Sequence, residues 1–294
     1  MIGNLDYYKV FYYTAKTGSV TAAASELSIS QPAVSQALKQ LEKNLGVSLF
    51  GRAARGVKLT AEGELLFSYV AVGYEQIELG VNKVKKMQSM ELGEVKIGAS
   101  DMTLRFYLLP YLEKFHEMYP EIKVMVTNGP TPETLLALKE ERIDFGVVST
   151  PFDASEDVLS RPVRDIEDVF VAGRKFYSYK NRMMEFRDLK ELPMIFLESN
   201  TSTRTFMDKV LLENHVALQP EFELATSDMI VQFALRNLGV GCVVRDFAKE
   251  ALETGLLFEL RFHQMIPKRS ICVVRNKKEK LPVAAEKLLE IMEM

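Results

Sequence analysis

From Thr60 to Met90 the chain carries one unbroken helical pattern, and it separates two stretches of quite different character. Phe67, Val70, Tyr74, Ile77, Val81 and Val84 recur at alternating steps of three and four, the spacing of a coiled-coil-like seam. Thr60-Ala61-Glu62-Gly63 opens the pattern, with Thr60 placed to accept the N–H of Gly63. Gly73 and Gly80 lie beside the stripe, and each costs about 1 kcal/mol relative to Ala inside a helix. Close approach of a second helix would compensate. So long a stripe, with little chain left to cover it, predicts a homodimer joined through this helix.

Ahead of the helix, residues 5–58 read as short helices. Leu5, Tyr8, Phe11, Tyr12 and Ala15 form one apolar stripe that Gly18 stops. Ser19 or Thr21 can cap the next helix, from Ala22 to about Leu27. A third starts with Ser30 as N-cap, holds Pro32 in its first turn and ends at Gly46. Val20–Leu38 meets the steric needs of a helix-turn-helix. Ala23, Leu27, Ile29, Val34 and Ala37 form the inside, leaving Ser30, Gln31, Ser35, Gln36 and Lys39 outside. Amides and hydroxyls at that helix start suit base-edge reading. Gln31 and Gln36 can bond adenine N6/N7, Ser35 can meet base or phosphate, and Pro32 offers a thymine methyl an apolar contact.

Charge distribution agrees. Residues 1–60 hold seven basic and three acidic side chains, a surplus of four positive charges. The net charge of the whole chain is −3, so the remainder carries −7. A basic head on an acidic body suits a protein in which one end meets a polyanion.

After Leu49-Phe50, two strand-like pieces flank a basic Gly-containing turn, a β-hairpin wing presenting Arg52, Arg55 and Lys58 to phosphates or the minor groove. Ser30-Gln31-Pro32-Ala33-Val34-Ser35, Leu41-Glu42, Leu45-Gly46, Leu49-Phe50, Arg52, Arg55-Gly56-Val57, Leu59-Thr60 and Gly63 stand in order and spacing. This head resembles the LysR-type transcriptional regulators, whose strings run (S/T)QPA(V/L)S, LExxLGxxLFxR and RGVxLTxxG. The resemblance implies base-proximal roles for Gln31, Pro32, Ser35 and Gln36, and phosphate-positioning roles for Lys39, Arg52, Arg55 and Thr60. Many members carry Arg where this chain has Gln36, so the sequence read is this chain's own. The resemblance further implies binding to interrupted inverted repeats of double-stranded DNA by dimers of dimers, a homotetramer.

From Leu92-Gly93 onward, short β-branched strands alternate with helices of about ten residues. Strands are expected at 95–99, 122–127, 145–149, 168–172, 194–197, 221–225, 240–244 and 270–274. This alternation implies parallel sheets with helices on both faces. Eight strands suggest two lobes, with crossings near 150–165 and 262–268. The expected organisation is therefore an α+β multidomain chain. A winged helix-turn-helix occupies 1–60, a linker helix 61–92 and an effector-binding domain 93–294. Lobe I takes about 93–162 and 267–294, lobe II about 163–266. Two such lobes resemble the type 2 periplasmic-binding-protein architecture, whose cleft closes on a ligand.

Strand ends that run into helix starts bind anions through free N–H groups. Two such places stand out, Ala99-Ser100-Asp101-Met102-Thr103 and Glu198-Ser199-Asn200-Thr201-Ser202-Thr203-Arg204. Thr131 and Ser149 point to the same cleft. The expected ligand is a small anion, a carboxylate, sulfate or phosphate. Any one of these hydroxyls is ordinarily just a helix cap; two equivalent loops, with Arg204 a turn into its helix, favour a site. The family resemblance implies effector contacts at Ser100, Thr103, Thr131 and residues 200–204. That last loop is similar to a Gly-Ser-Gly-Thr-Arg loop of some members, with Asn200 and Ser202 in place of glycines.

Catalysis finds no support: there is no Gly-rich phosphate loop, no GxSxG and no HExxH. Cys242 and Cys272 lack CxxC partners and three histidines are scattered, so no metal, disulfide framework or cofactor is expected. No signal sequence and no run of about 18 apolar residues is present. The expected location is the cytoplasm, without a membrane partner. A solute receptor or an enzyme on the same two-lobed scaffold are the alternative readings.

Overall fold

The computed structural model describes residues 4–52, 56–153 and 156–293. They fall into two compact units, residues 1–88 and 89–294. In the first, α1 (Leu5–Thr17), α2 (Val20–Leu27) and α3 (Gln31–Leu45) are set by caps written in the sequence. Asn4, Ser19 and Ser30 each accept a first-turn N–H, while Gly18 and Gly46 end their helices in the left-handed region. Val10, Phe11, Ala23, Ala24, Val34, Leu38, Leu41 and Leu49 make the core between them. Ile29, expected inside, is 42% exposed. Ser28 closes α2 at φ 54°, and the turn it makes leaves Ile29 in solvent.

A hairpin of β1 (Phe50–Arg52) and β2 (Val57–Leu59) follows, pairing Phe50 with Leu59 and Gly51 with Lys58. The Glu42 carboxylate accepts the N–H groups of Leu49 and Phe50 at 2.7 and 3.3 Å, tying the hairpin to the end of α3. Gly56 has φ +76°, and a Cβ there would lie 2.2 Å from the Gly18 carbonyl oxygen. A Cβ on Gly63 would likewise lie 2.2 Å from the Leu49 carbonyl oxygen. Those two contacts explain why glycine stands at both places in the motif.

The long helix α4 (Ala61–Gln88) begins with Thr60 accepting the Gly63 N–H at 3.0 Å. Leu66, Phe67 and Val70 pack on the core of this unit, and Tyr74 meets Tyr12 at 4.6 Å between ring centroids. Beyond that point the stripe is bare. Ile77, Val81 and Val84 are 62%, 50% and 56% exposed, and a Cβ at Gly73 or Gly80 would meet nothing within 4 Å.

The second unit holds two five-stranded sheets, one per lobe. In the first lobe the order is β4 (Ile122–Asn128), β3 (Gly93–Ala99), β5 (Phe145–Ser149), β14 (Arg269–Asn276), β6 (Val158–Ile166). In the second it is β10 (Phe222–Leu224), β9 (Met194–Leu197), β11 (Val240–Val244), β7 (Asp168–Ala172), β12 (Phe258–Glu259). Alternate residues serve opposite faces. Val169 and Val171 enter one core of the second lobe, Phe170 and Ala172 the other.

Contrary to the all-parallel expectation, both sheets are mixed. β14 runs antiparallel to β5 and β6, and β7 antiparallel to β11 and β12. The reason lies in the crossings: β6 leads into β7 with only Glu167 between, so a strand leaving one sheet enters the next against its grain. The stretch expected as a plain crossing at 150–165 thus contains the nine-residue strand β6. Two short strands, β8 (Met183–Met184) and β13 (Arg261–Phe262), pair in parallel beside the second lobe.

Helices cover both sheets. α5 (Asp101–Thr103) runs through a π-helical stretch (Leu104–Leu108) into α6 (Leu109–Met118). With α7 (Thr131–Lys139) and α11 (Val283–Glu293) these belong to the first lobe. α8 (Ser202–Glu213), α9 (Ser227–Leu235) and α10 (Arg245–Glu253) belong to the second.

Candidate nucleic-acid interface and effector cleft

On α3, the 3.6-residue period turns Val34, Leu38 and Leu41 into the core and leaves a polar face outside. Gln31, Pro32, Gln36 and Lys39 are exposed and Ser35 is half-buried. Pro32, Ser35, Gln36, Lys39, Gln40 and Lys43 line one shallow groove on this face. Gln40 and Lys43 join four residues after Gln36 and Lys39, a spacing that could have flagged them in the sequence.

Ser30 uses its hydroxyl to cap α3, 3.3 Å from the Ala33 N–H. Thr60 donates to the Ser48 carbonyl at 2.7 Å while accepting from Gly63, so its hydroxyl holds the wing against α4. Lys58 is exposed on β2. Arg55 and the Arg52 side chain lie outside the described residues.

In the second unit the two lobes enclose a cleft of about 320 Å³. From the first lobe Ser100, Met102, Thr131 and Ser149 line it, and from the second Thr201, Ser202 and Thr203. Ser100 and Thr103 form a reciprocal cap at the start of α5. The lobes meet through hydroxyls: Ser149 Oγ and Ser202 Oγ are 2.6 Å apart, and Thr131 Oγ1 lies 3.4 Å from Ser202 Oγ. α7 starts after Pro130 and α9 after Thr226, neither with a side-chain cap, and all four flanking residues line the cleft. Their first-turn N–H groups are therefore available to a ligand.

Two expected contacts are not brought to the cleft. Thr103 is fully buried and donates to the Val147 carbonyl at 2.8 Å. Arg204 turns away: Nε reaches both Asp208 oxygens at 2.9–3.0 Å, and Nη1 the Glu223 carboxylate and Leu197 carbonyl at 3.0 Å. Burial works to lower its pKa, but the bonds to Glu223 and Asp208 outweigh burial and raise it. The guanidinium stays charged, and its Nε and Nη1 donors are already committed to two carboxylates.

Asp101 and Glu198 line the cleft from the two loops that the sequence singled out, though neither was expected as a contact, and sequence reasoning missed Asn128, Glu133, Ser227 and Phe247, which line it too. Asn128 donates to Asp101, and Phe247 packs edge-on against Phe106 at 4.7 Å. Strand-end and first-turn positions would have flagged Asn128 and Glu133. Ser227 and Phe247 sit beside the cleft only through the fold. Among the described residues no group of three or more His, Cys, Asp or Glu side chains could hold a metal ion. No described helix is long and apolar enough to cross a membrane.

A winged helix-turn-helix followed by a two-lobed sensing body defines a ligand-responsive transcription factor. The chain belongs to the LysR family: residues 5–64 match the bacterial regulatory helix-turn-helix protein model of that family, and residues 88–294 match its substrate binding domain. It is a LysR-type DNA-binding transcriptional regulator with an effector-binding domain, not an enzyme.

It is 26% identical over 283 residues to the uncharacterized HTH-type transcriptional regulator YeiE of Escherichia coli, covering 96% of this chain and 94% of that protein. To the HTH-type transcriptional activator CmpR of a Synechocystis strain it is 25% identical, covering 98% and 94%. Full-length OxyR from Pseudomonas aeruginosa superimposes with a TM-score of 0.72 at 20% identity, covering 99% of this chain and 100% of that one. CbnR bound to its target DNA gives 0.64 at 19%, covering 99% of each chain. These likenesses show the fold.

Proposed function

We propose that this regulator reads an interrupted inverted repeat through the exposed face of α3, and that a small effector with an anionic group acts from the cleft. Gln31, Pro32, Ser35 and Gln36 read bases, with Ser30 at the start of the reading helix. Lys39, Arg52, Arg55, Lys58 and Thr60 position the phosphate backbone. The protein works in the cytoplasm as a homodimer joined through the linker helix, and as a homotetramer on DNA. Its working parts are 1–60, 61–92 and 93–294.

One observation carries the sensing half: Ser149 and Ser202 bridge the lobes at 2.6 Å beside the uncapped starts of α7 and α9. An anionic group seated there accepts from those N–H groups and from Ser100, Thr131 and Thr201–Thr203. It competes with the hydroxyl bridge and so biases lobe closure. Arg204 plays no part in this version of the site.

The test selects duplexes from random sequence with the full-length protein, then titrates the best site. Gln31→Ala and Ser35→Ala should each cost roughly 1–3 kcal/mol of discrimination at one base position. Unchanged discrimination would refute the groove assignment. A metabolite panel added to the same titration should include compounds that change operator affinity, and the change should vanish when Ala225→Phe fills the cleft.

A further inference from the structure

We propose that the effector is a zwitterion of amino-acid class, its ammonium held by Glu133 and Glu198 and its carboxylate by the helix starts. The inference rests on the cleft being the effector site. Three carboxylates, Asp101, Glu133 and Glu198, line the cleft, and among the described residues no Lys, Arg or His lines it. Arg105 pairs with Asp228, Arg204 with Asp208 and Glu223, Arg269 with Asp168, and Arg142, which shares the adjoining pocket with Glu133, pairs with Glu140. A ligand carrying only negative charge would enter a negative cavity with no cation to meet it.

Asp101 and Glu133 stand in the first turns of helices, where acids favour the helix dipole whether or not a ligand exists. Glu198 has no such explanation, since it lies in the loop after β9. Asp101 already accepts from Asn128, whereas the Glu133 and Glu198 carboxylates have no hydrogen bond or ion pair among the described residues. One sits in each lobe, so a single ammonium between them would draw the lobes together.

Ser227 points independently to a ligand. It is 8% exposed, lines the cleft at the start of α9, and its hydroxyl has no partner among the described residues. A hydroxyl on a nearly buried residue that opens onto the cleft beside free N–H groups suits a carboxylate oxygen. The volume, about 320 Å³, suits a ligand of amino-acid size.

The experiment measures binding to the full-length protein by calorimetry and thermal shift, using the common L-amino acids, the α-keto acid of each and its decarboxylated amine. At least one amino acid should bind, with its keto acid and amine each weaker by roughly tenfold or more. Glu198→Gln should cut amino-acid affinity about tenfold and narrow the gap to the keto acid. Glu133→Gln on the other lobe serves as the second variant should the first fail to fold.

A keto acid binding as tightly as its amino acid would overturn the inference. If Ala225→Phe also abolished that binding, the cleft would stand as the effector site with a plain anion in it. Amino-acid binding that survives Ala225→Phe would overturn both readings. A panel with no binder would overturn the zwitterion while leaving the cleft to other ligand classes.

Discussion

Arg269 and Asp168 form a bidentate ion pair out of contact with water, Nε to Oδ2 at 2.6 Å and Nη2 to Oδ1 at 2.8 Å. Arg269 opens β14 in one lobe and Asp168 opens β7 in the other. The guanidinium also donates to the Thr150 carbonyl at 2.7 Å and the Thr203 hydroxyl at 3.0 Å, and lies 5.0 Å from the centre of the Phe206 ring. It is thereby joined to Thr203, on the wall of the cleft.

Both charges lose their hydration, and the fork geometry with two further acceptors offsets that cost. Asp168→Ala should therefore lower stability by about 3–5 kcal/mol, because it leaves a buried guanidinium unpaired. The double variant Asp168→Val with Arg269→Met should recover most of the loss. Urea unfolding of the full-length protein measures both. A single variant as stable as the parent would show that the junction does not depend on the pair.

The bare part of the α4 stripe makes the second prediction. Ile77, Val81 and Val84 stand exposed on one face, and three such side chains have no reason to remain in water if a second α4 covers them. Val81→Glu combined with Ile77→Glu should shift the protein to monomer at micromolar concentration, read by sedimentation velocity. Operator affinity should fall with it, since two heads on one dimer act at a shared effective concentration. A variant that still sediments as a dimer would move the interface elsewhere.

Much of the head was legible because its signals are local. Ser30, Gly18 and Gly46 act within a turn of where they stand, and the Thr60–Gly63 cap spans three residues. The central strands β5 and β11 were legible as apolar runs buried on both faces, and β3 by its alternating Val95, Ile97 and Ala99. β6 was not, because it is an edge strand: Arg161, Pro162, Arg164 and Asp165 are exposed, so its apolar signal is thin. Strand direction was beyond reach as well, since the crossings set it.

In the cleft, the strand-to-helix positions of Ser100, Thr131 and Ser202 could be read, whereas Ser227 needs the fold to bring it there. Arg204 misled because a basic residue one turn into a helix looks like an anion ligand. Its partner Asp208 sits at i+4 and was visible, but Glu223 reaches it across the sheet.

Gly63 offers a sharper test of the head. Its added methyl would strike the Leu49 carbonyl, a backbone atom that also accepts the Thr60 N–H at 3.0 Å. Gly63→Ala should cost roughly 2–3 kcal/mol despite the better helix propensity of Ala. Thermal unfolding followed by helical circular dichroism reads the loss, and a gain in stability would mean that the wing yields without strain.

Asp144 gives the pH dependence. Its carboxylate accepts the Lys96 N–H at 2.6 Å, yet burial raises its pKa above the ordinary aspartate value, outweighing that bond and the Lys96 charge. The folded state therefore binds this proton more tightly than the unfolded chain does. The sign follows: stability from this group is greatest below the ordinary aspartate pKa and is lost as pH rises through the raised folded value. At pH 7 the full cost of burying the charge is present. Asp144→Asn keeps an acceptor for Lys96 and removes that charge, so it should raise the melting temperature at pH 7. The gain should shrink as the pH is lowered through the acid range, where the parent protonates. Melting curves of both proteins from pH 4 to 7 make the comparison. A variant that melts lower than the parent at pH 7 would mean that the Lys96 bond, not burial, governs the site.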